Sequence, residues 1–524
     1  MPYPRLLPIL LFALWTASSA QAQTKPKGEH VVLVIWDGMR PDFVTPEVTP
    51  TLHALAKSGT FFAQNHSVYI TSTEVNGTAM VTGCYPGRNG ILANREYRPE
   101  VHLMRPFATE DPRAIAVSDA LRGGKYVGIP TIAERVQQAG FRTVIAGTKP
   151  VALLHDRSRE RSNSHNSVVL FAGKSYPSDF ARHVSTLFGK FPDQPPTGTL
   201  APNTAQNAWT TKALVEELWK DGVPKFSTLW LGDPDFTQHL TQPGSPTSLE
   251  ALRNSDANLA TLLAALEAKG VREKTNVFLV SDHGFSTIDR GVDLGKLLRE
   301  AGFNLVREYK QAPVAGEVLL INLGGSNQLY VPDKDPAVIS RLVEFLQRSD
   351  FAGPIFTRAG LPGTFSLAQA RMDSRDAADI VFSFRWTDAQ NRWGTPGSFV
   401  AETSRPGYGT HASLSRFDVH NTLIAAGPDI RAGYVNPLPT ANVDVAPTIL
   451  RLLGITPTET LDGRVLEEAL LGFKGQSPEP KTRIIETDVK IGEQTWRQYL
   501  KFTDFGEHSY LDEGNAGPPP AGKP

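Results

Sequence analysis

Cysteine is almost absent: Cys84 is the single one in 524 residues, so no disulfide can form within the chain even in an oxidising compartment. Charge of one sign is absent too. The 53 Lys and Arg stand against 54 Asp and Glu, a formal net charge of -1, which removes the electrostatic case for an obligate nucleic-acid partner. Beyond the first residues, no stretch approaches the roughly 18 uninterrupted apolar residues of a membrane-spanning helix. There is no internal repeat. Hydrophobic residues make up 40% and charged residues 20%, so wholesale disorder is excluded as well.

The chain opens with the pattern of a cleavable export signal over residues 1–22. Arg5 gives the positive start, Leu6 to Trp15 an apolar run of about ten residues, and Ala20-Gln21-Ala22 a small-residue cleavage site. That run is too short to span a bilayer. The expected product, cut after Ala22, is a periplasmic or secreted protein with no membrane span. The expected organisation is one α/β domain over 23–513, a cap-like insertion at about 302–363, and a disordered Gly/Pro-rich tail over 514–524.

Short apolar runs alternate with amphipathic stretches. Strands are predicted at His30–Trp36, Arg142–Ala146, Phe226–Leu231, Asn276–Val280, Asp379–Phe384 and Thr422–Ala426. Helices are predicted at Thr51–Lys57, Thr73–Val81, Thr131–Gln138, Asn207–Lys220, Leu249–Ala268 and Val443–Leu453. This β-then-α order predicts a largely parallel sheet, with chemistry at the carboxyl ends of its strands.

Six potential metal ligands arrive in four short pieces: Asp37 in WDG, Asp235 and His239 in DPDFTQH, Asp282 and His283 in SDHG, and His411 in GTHAS. His239 follows Asp235 by four positions, so one helical turn presents both to the same ion. Asp282 and His283 are adjacent at the exit of a predicted strand, with Gly284 next. Three Asp and three His suffice for two three-ligand sites, and two divalent metals with open positions support in-line displacement at phosphorus. Asp and His donors suit zinc, while manganese or another transition metal is compatible with the same donors. Thr73 starts a predicted helix, where free N–H groups favour an anionic phosphoryl group and a metal can activate the hydroxyl. Asn76 and Asn94 are both candidate donors to a phosphoryl oxygen, and spacing does not choose between them.

The order WDG, TxxN followed by VTGxYP, DPDxxxH, SDHG and GTH resembles the alkaline phosphatase superfamily, and within it the type I phosphodiesterase/nucleotide pyrophosphatase group. The likeness spans roughly Val31 to Gly454. It implies an α/β/α sandwich and two zinc ions, one held by Asp235, His239 and His411, the other by Asp37, Asp282 and His283. It implies Thr73 as nucleophile and ligand of the second zinc, a covalent phospho-threonine intermediate, and Asn94 as phosphoryl-oxygen donor. Small phosphoester molecules would be the substrates.

Two departures stand out. Glu74-Val75 replaces the aromatic and Pro that usually follow the nucleophile, and Asn89-Gly90-Ile91 replaces HGI. Lys149, in Ala146-Gly147-Thr148-Lys149, resembles a substrate-binding Lys of related monoesterases, although Val151 stands where a second basic residue often follows. An ammonium there favours a doubly charged monoester, which makes a phosphomonoesterase or phosphonate hydrolase the alternative. A non-catalytic phosphoester-binding homologue is the third reading. Cys84-Tyr85-Pro86-Gly87-Arg88 matches the C-x-P-x-R core of sulfatases, but it follows Thr82-Gly83 instead of preceding such a pair, and three histidines do not suit a sulfatase calcium site.

Overall fold

The computed structural model describes residues 26–158, 167–196, 199–402 and 405–517. The export signal and the last residues of the tail lie outside this set.

The strand His30–Trp36 sits near the middle of a nine-stranded sheet. It pairs in parallel with Phe226–Leu231 on one side and Thr275–Val280 on the other, and Thr143–Gly147 continues the parallel run. Leu423–Ala426 enters antiparallel. Side chains alternate across the strand. Val31, Leu33 and Ile35 join one apolar cluster, whereas Val32, Val34 and Trp36 join another on the opposite face. Both faces are therefore covered, as the unbroken apolar runs of a parallel sheet require. This is the expected α/β architecture with a largely parallel sheet.

The strand and helix readings agree with the structure to within a few residues. The helix predicted over Asn207–Lys220 is split into an α segment, Thr204–Lys212, and a π segment, Ala213–Leu218. Thr131 caps the helix Ile132–Gln138 in a reciprocal capping box with Glu134.

The stretch 302–363, expected as a cap-like insertion, falls within a longer segment that forms its own sheet. A separate six-stranded sheet runs from Asn304–Val306 to Ile380–Phe384. A four-stranded sheet built from Ser286–Val292, Trp386–Gln390, Pro396–Glu402 and Gly409–Thr410 joins it to the core. Ile380–Phe384 looks like any buried strand in sequence, but antiparallel pairing with Ser326–Tyr330 places it in this second lobe. The tail also begins later than expected. Gly514, Asn515 and Ala516 belong to the strand His508–Ala516, because they pair with Leu500, Tyr499 and Gln498 of a C-terminal three-stranded sheet. Among the described residues, no helix is long and apolar enough to cross a membrane.

Candidate active site

Four mutually parallel strands end at one edge of the sheet. Asp37 follows His30–Trp36 directly, Asp235 lies four residues beyond Phe226–Leu231, Asp282-His283 follow Thr275–Val280, and Lys149 follows Thr143–Gly147. His411 arrives just after Gly409–Thr410 of the four-stranded sheet. The helix Thr73–Thr82 points its N-terminus at the same place, with Thr73 as its first residue and Ser72 as N-cap. Its free N–H groups and dipole favour an anion there.

Two groups of donors converge. Asp235 Oδ1 stands 3.2 Å from His239 Nε2 and 3.4 Å from His411 Nε2. His283 Nε2 stands 3.3 Å from Asp282 Oδ2, 3.5 Å from Asp37 Oδ1 and 3.3 Å from Thr73 Oγ1. A tetrahedral ion with bonds of about 2.0–2.1 Å sets its ligand atoms about 3.3–3.4 Å apart, close to the distances around Asp235 Oδ1 and His283 Nε2. The ligand atoms of Asp37, Asp235 and His283 also lie within 4.8 Å of one another, which makes the two groups contiguous.

Hydrogen bonding supports the same reading. Asp37 Oδ1, Asp235 Oδ1 and Asp282 Oδ2 are buried oxygens with no hydrogen-bond donor, one on each carboxylate and each facing a histidine. Three such orphans within one centre call for a cation. Each imidazole uses Nδ1 elsewhere: His239 on Gly409 O at 3.2 Å, His283 on Gly284 O at 2.8 Å and His411 on Thr71 O at 2.9 Å. A carbonyl can only accept, so each Nδ1 carries a proton and each Nε2 is turned toward the centre. Burial lowers His239, but Asp235 outweighs it and raises that imidazole. Burial holds His283 and His411 below the usual imidazole range, with the neighbouring His283 adding to the effect at His411. Both are thus neutral, as ligation requires. Burial, reinforced by Asp282, raises Asp37 well above the carboxylate range, and Asp282 is pushed up to about 6, chiefly by burial.

Lys149 reaches this centre through the carboxylates. Its Nζ lies 2.8 Å from Asp37 Oδ2 and 3.1 Å from Asp235 Oδ2. Although burial pushes Asp235 upward, Lys149 and then His239 hold it well below its ordinary value.

The two asparagines separate cleanly. Asn76 Oδ1 accepts from Val68 N at 2.7 Å, and its Nδ2 donates to the carbonyls of Val68, Ile70 and Ser72 at 3.0–3.2 Å. Asn76 is consumed in shaping the segment that enters the helix. Asn94 uses only its Oδ1, accepting from Glu74 N at 3.2 Å, and this sets its amide beside Thr73. Cys84 lies past the far end of the same ten-residue helix, about 15 Å along its axis from Thr73. Its thiol is pushed up to about 11 by burial, so it is no nucleophile for this centre.

Sequence reasoning missed several groups. Glu110 packs its carboxyl against that of Glu74. Burial raises both, and at Glu74 the neighbouring Glu110 carboxyl adds to the effect. Trp230 donates from Nε1 to Asp37 Oδ2 at 3.0 Å. Asn442 Nδ2 bridges the Asp282 carbonyl at 2.8 Å and Asn76 Oδ1 at 3.1 Å. Trp230 sits within an apolar strand and looks like core, and no spacing signal marks Glu110 or Asn442.

The type I phosphodiesterase/nucleotide pyrophosphatase family model matches residues 31–389. Ectonucleotide pyrophosphatase/phosphodiesterase family member 7 of Homo sapiens is 21% identical over 466 residues, 88% of this chain and 88% of that protein. Venom phosphodiesterase 2 of Crotalus adamanteus is 25% identical over 276 residues, 52% of this chain but only 29% of the venom enzyme's length. Murine ectonucleotide pyrophosphatase/phosphodiesterase 5 superposes with a TM-score of 0.60 at 17% identity, covering 84% of this chain and 100% of that one. With its motifs gathered at one sheet edge and the family match covering most of its length, the chain belongs to the type I phosphodiesterase/nucleotide pyrophosphatase family of the alkaline phosphatase superfamily.

Proposed function

We propose that this protein is an exported hydrolase of phosphodiesters and nucleotide pyrophosphates that works through a covalent phospho-threonine on Thr73. The observation that carries this reading is the position of Thr73 Oγ1, 3.3 Å from His283 Nε2, at the N-terminus of a buried helix. Asp235, His239 and His411 would hold one zinc ion, and Asp37, Asp282, His283 and Thr73 a second. Bound there, the two ions would lower the pKa of the Thr73 hydroxyl and offset charge on the attacking and leaving oxygens. Thr73 Oγ1 attacks phosphorus, the first leaving group departs, and water then cleaves the phospho-threonine ester. The first-turn N–H groups other than that of Glu74, which Asn94 Oδ1 engages, and the Asn94 NH2 receive the charge that develops on the non-bridging oxygens. Export rests on the residue 1–22 signal.

Lys149 supports a second reading, a phosphomonoesterase or phosphonate hydrolase, because its ammonium already stands within the centre. Zinc-loaded mature protein should be assayed on an aryl phosphate diester and its matching monoester. A higher kcat/KM for the diester is expected, and a strong monoester preference would transfer the function to the second reading. Thr73→Ala should abolish turnover while leaving metal content intact; retained turnover would remove Thr73 as nucleophile.

A further inference from the structure

The loop that delivers Asn94 is held by two buried charges that the reaction does not otherwise use. Glu96 Oε1 accepts from the backbone N–H of Leu92 at 2.6 Å and of Ala93 at 3.2 Å. Its other oxygen, Oε2, accepts from Arg98 Nε at 2.7 Å and from Arg98 Nη2. Arg98 Nη2 also donates to Gly90 O at 2.6 Å, so the ion pair grips both ends of the Gly90–Ala93 segment. The far side of the loop is tied by Thr109, whose Oγ1 donates to Ala93 O at 2.9 Å and whose N–H donates to Asn94 O at 3.0 Å. The Arg98 guanidinium lies over the Tyr126 ring at 5.2 Å, and the Tyr126 hydroxyl donates to Thr109 O at 2.9 Å.

Glu96 is 0% exposed and Arg98 only 1%. Burying two charges is expensive, and a well-packed apolar pair of similar volume often serves stability as well or better. What an apolar pair cannot supply is hydrogen bonds to three backbone groups of one short loop. The residue that follows these contacts is Asn94, whose Oδ1 accepts from Glu74 N, the residue after Thr73.

We propose that Glu96 and Arg98 are positioning residues that fix the Asn94 carboxamide relative to Thr73 by clamping the Gly90–Ala93 backbone. This inference rests on the reading of Asn94 as the phosphoryl-oxygen donor. Donors aimed at developing charge gain their effect from being held in place beforehand. Loosening the clamp should therefore lower kcat and leave KM nearly unchanged.

The test is a pair of double-mutant cycles on zinc-loaded full-length mature protein with an aryl phosphate diester, combining Arg98→Lys or Glu96→Gln with Asn94→Ala. Lys keeps the charge but loses the planar fork, and Gln keeps an acceptor for Leu92 and Ala93 but loses the charge. Arg98→Lys should lower kcat by about 10- to 100-fold with KM within about threefold, and by less than about twofold once Asn94 is already Ala. Equal losses in both backgrounds would overturn the positioning role while leaving Asn94 in place, and so would a folded Arg98→Lys protein with unchanged kcat. If Asn94→Ala alone leaves kcat intact, the Asn94 reading itself falls and takes this inference with it. Should Arg98→Lys fail to fold, Glu96→Gln is judged by the same two criteria.

Discussion

Lys149 Nζ lies 2.8 Å from Asp37 Oδ2 and 3.1 Å from Asp235 Oδ2, making it the cation nearest two of the proposed metal ligands. Three buried carboxylates repel one another, and Lys149 opposes that repulsion at each: it lowers Asp37, Asp235 and Asp282. Bound divalent cations would perform the same service. Lys149→Ala should therefore destabilise metal-free protein by about 1–3 kcal/mol and zinc-loaded protein by clearly less. The rise in Tm on adding zinc to chelator-treated protein should be larger in the variant than in the natural chain. Equal rises would mean that Lys149 and the metal do not share a task.

Asn76 and Asn94 should fail in different ways. Asn76→Ala strands the N–H and the carbonyl of Val68, at about 1–3 kcal/mol for each buried group left unmade, while the Ile70 and Ser72 carbonyls keep the backbone N–H groups of Ser72 and residue 76. A drop in Tm is the expected result. Asn94→Ala loses one bond at a half-buried site, so Tm should hold while kcat falls by about 100-fold. Calorimetry and steady-state kinetics on both variants would separate the roles, and a reversal of the two patterns would exchange them.

Acid should unfold the protein partly through His155. It is buried under the nucleophile helix with its ring edge-on to Trp230 at 5.3 Å, and burial pushes it down to about 3 from 6.5. A base whose folded pKa is depressed is protonated first in the unfolded chain. Its contribution to stability is therefore complete above pH 6.5 and is lost progressively as pH falls toward 3. By pH 4.5 the loss is about 2–3 kcal/mol. His155→Gln should flatten the fall of Tm between pH 6.5 and 4.5 relative to the natural chain; an unchanged slope would assign acid sensitivity to other groups.

The convergence of the proposed ligand pieces was legible because the sequence couples two independent signals at them. Asp37 and Asp282-His283 come directly after β-branched apolar runs, and parallel strands bring their carboxyl ends to one edge. Groups that reach the centre through tertiary packing carried no such signal. Glu110 meets Glu74 only because the chain folds back after a two-residue strand, Phe107–Ala108. Asn442 is separated from Asp282 by 160 residues. The extent of the second lobe was hidden for a related reason. Ile380–Phe384 has the composition of a core strand, and only its partner Ser326–Tyr330 assigns it to the other sheet. Composition also misplaced the start of the tail, since the glycine in Gly514-Asn515-Ala516 reads as loop until Gln498, Tyr499 and Leu500 pair with the segment.

Gly77 tests how tightly the nucleophile helix is registered against the metal ligands. In a helix interior, Gly→Ala ordinarily stabilises by about 1 kcal/mol. Here a Cβ would stand 2.9 Å from two atoms of the Trp230 six-membered ring and 3.1 Å from Val151 Cγ2. Trp230 is fully buried and donates to Asp37 Oδ2, so it cannot yield without disturbing a proposed metal ligand. If the helix yields instead, Thr73 moves, because it is the first residue of that helix. Either response harms the centre, and Gly77→Ala should lower kcat by about tenfold or more without the usual gain in stability. Trp230→Phe removes the ring atoms in the way, and although it also loses the bond to Asp37, adding it to Gly77→Ala should not lower kcat further. A Gly77→Ala protein that is fully active and more stable by the ordinary amount would show that the contact relaxes without reaching Thr73 or Asp37.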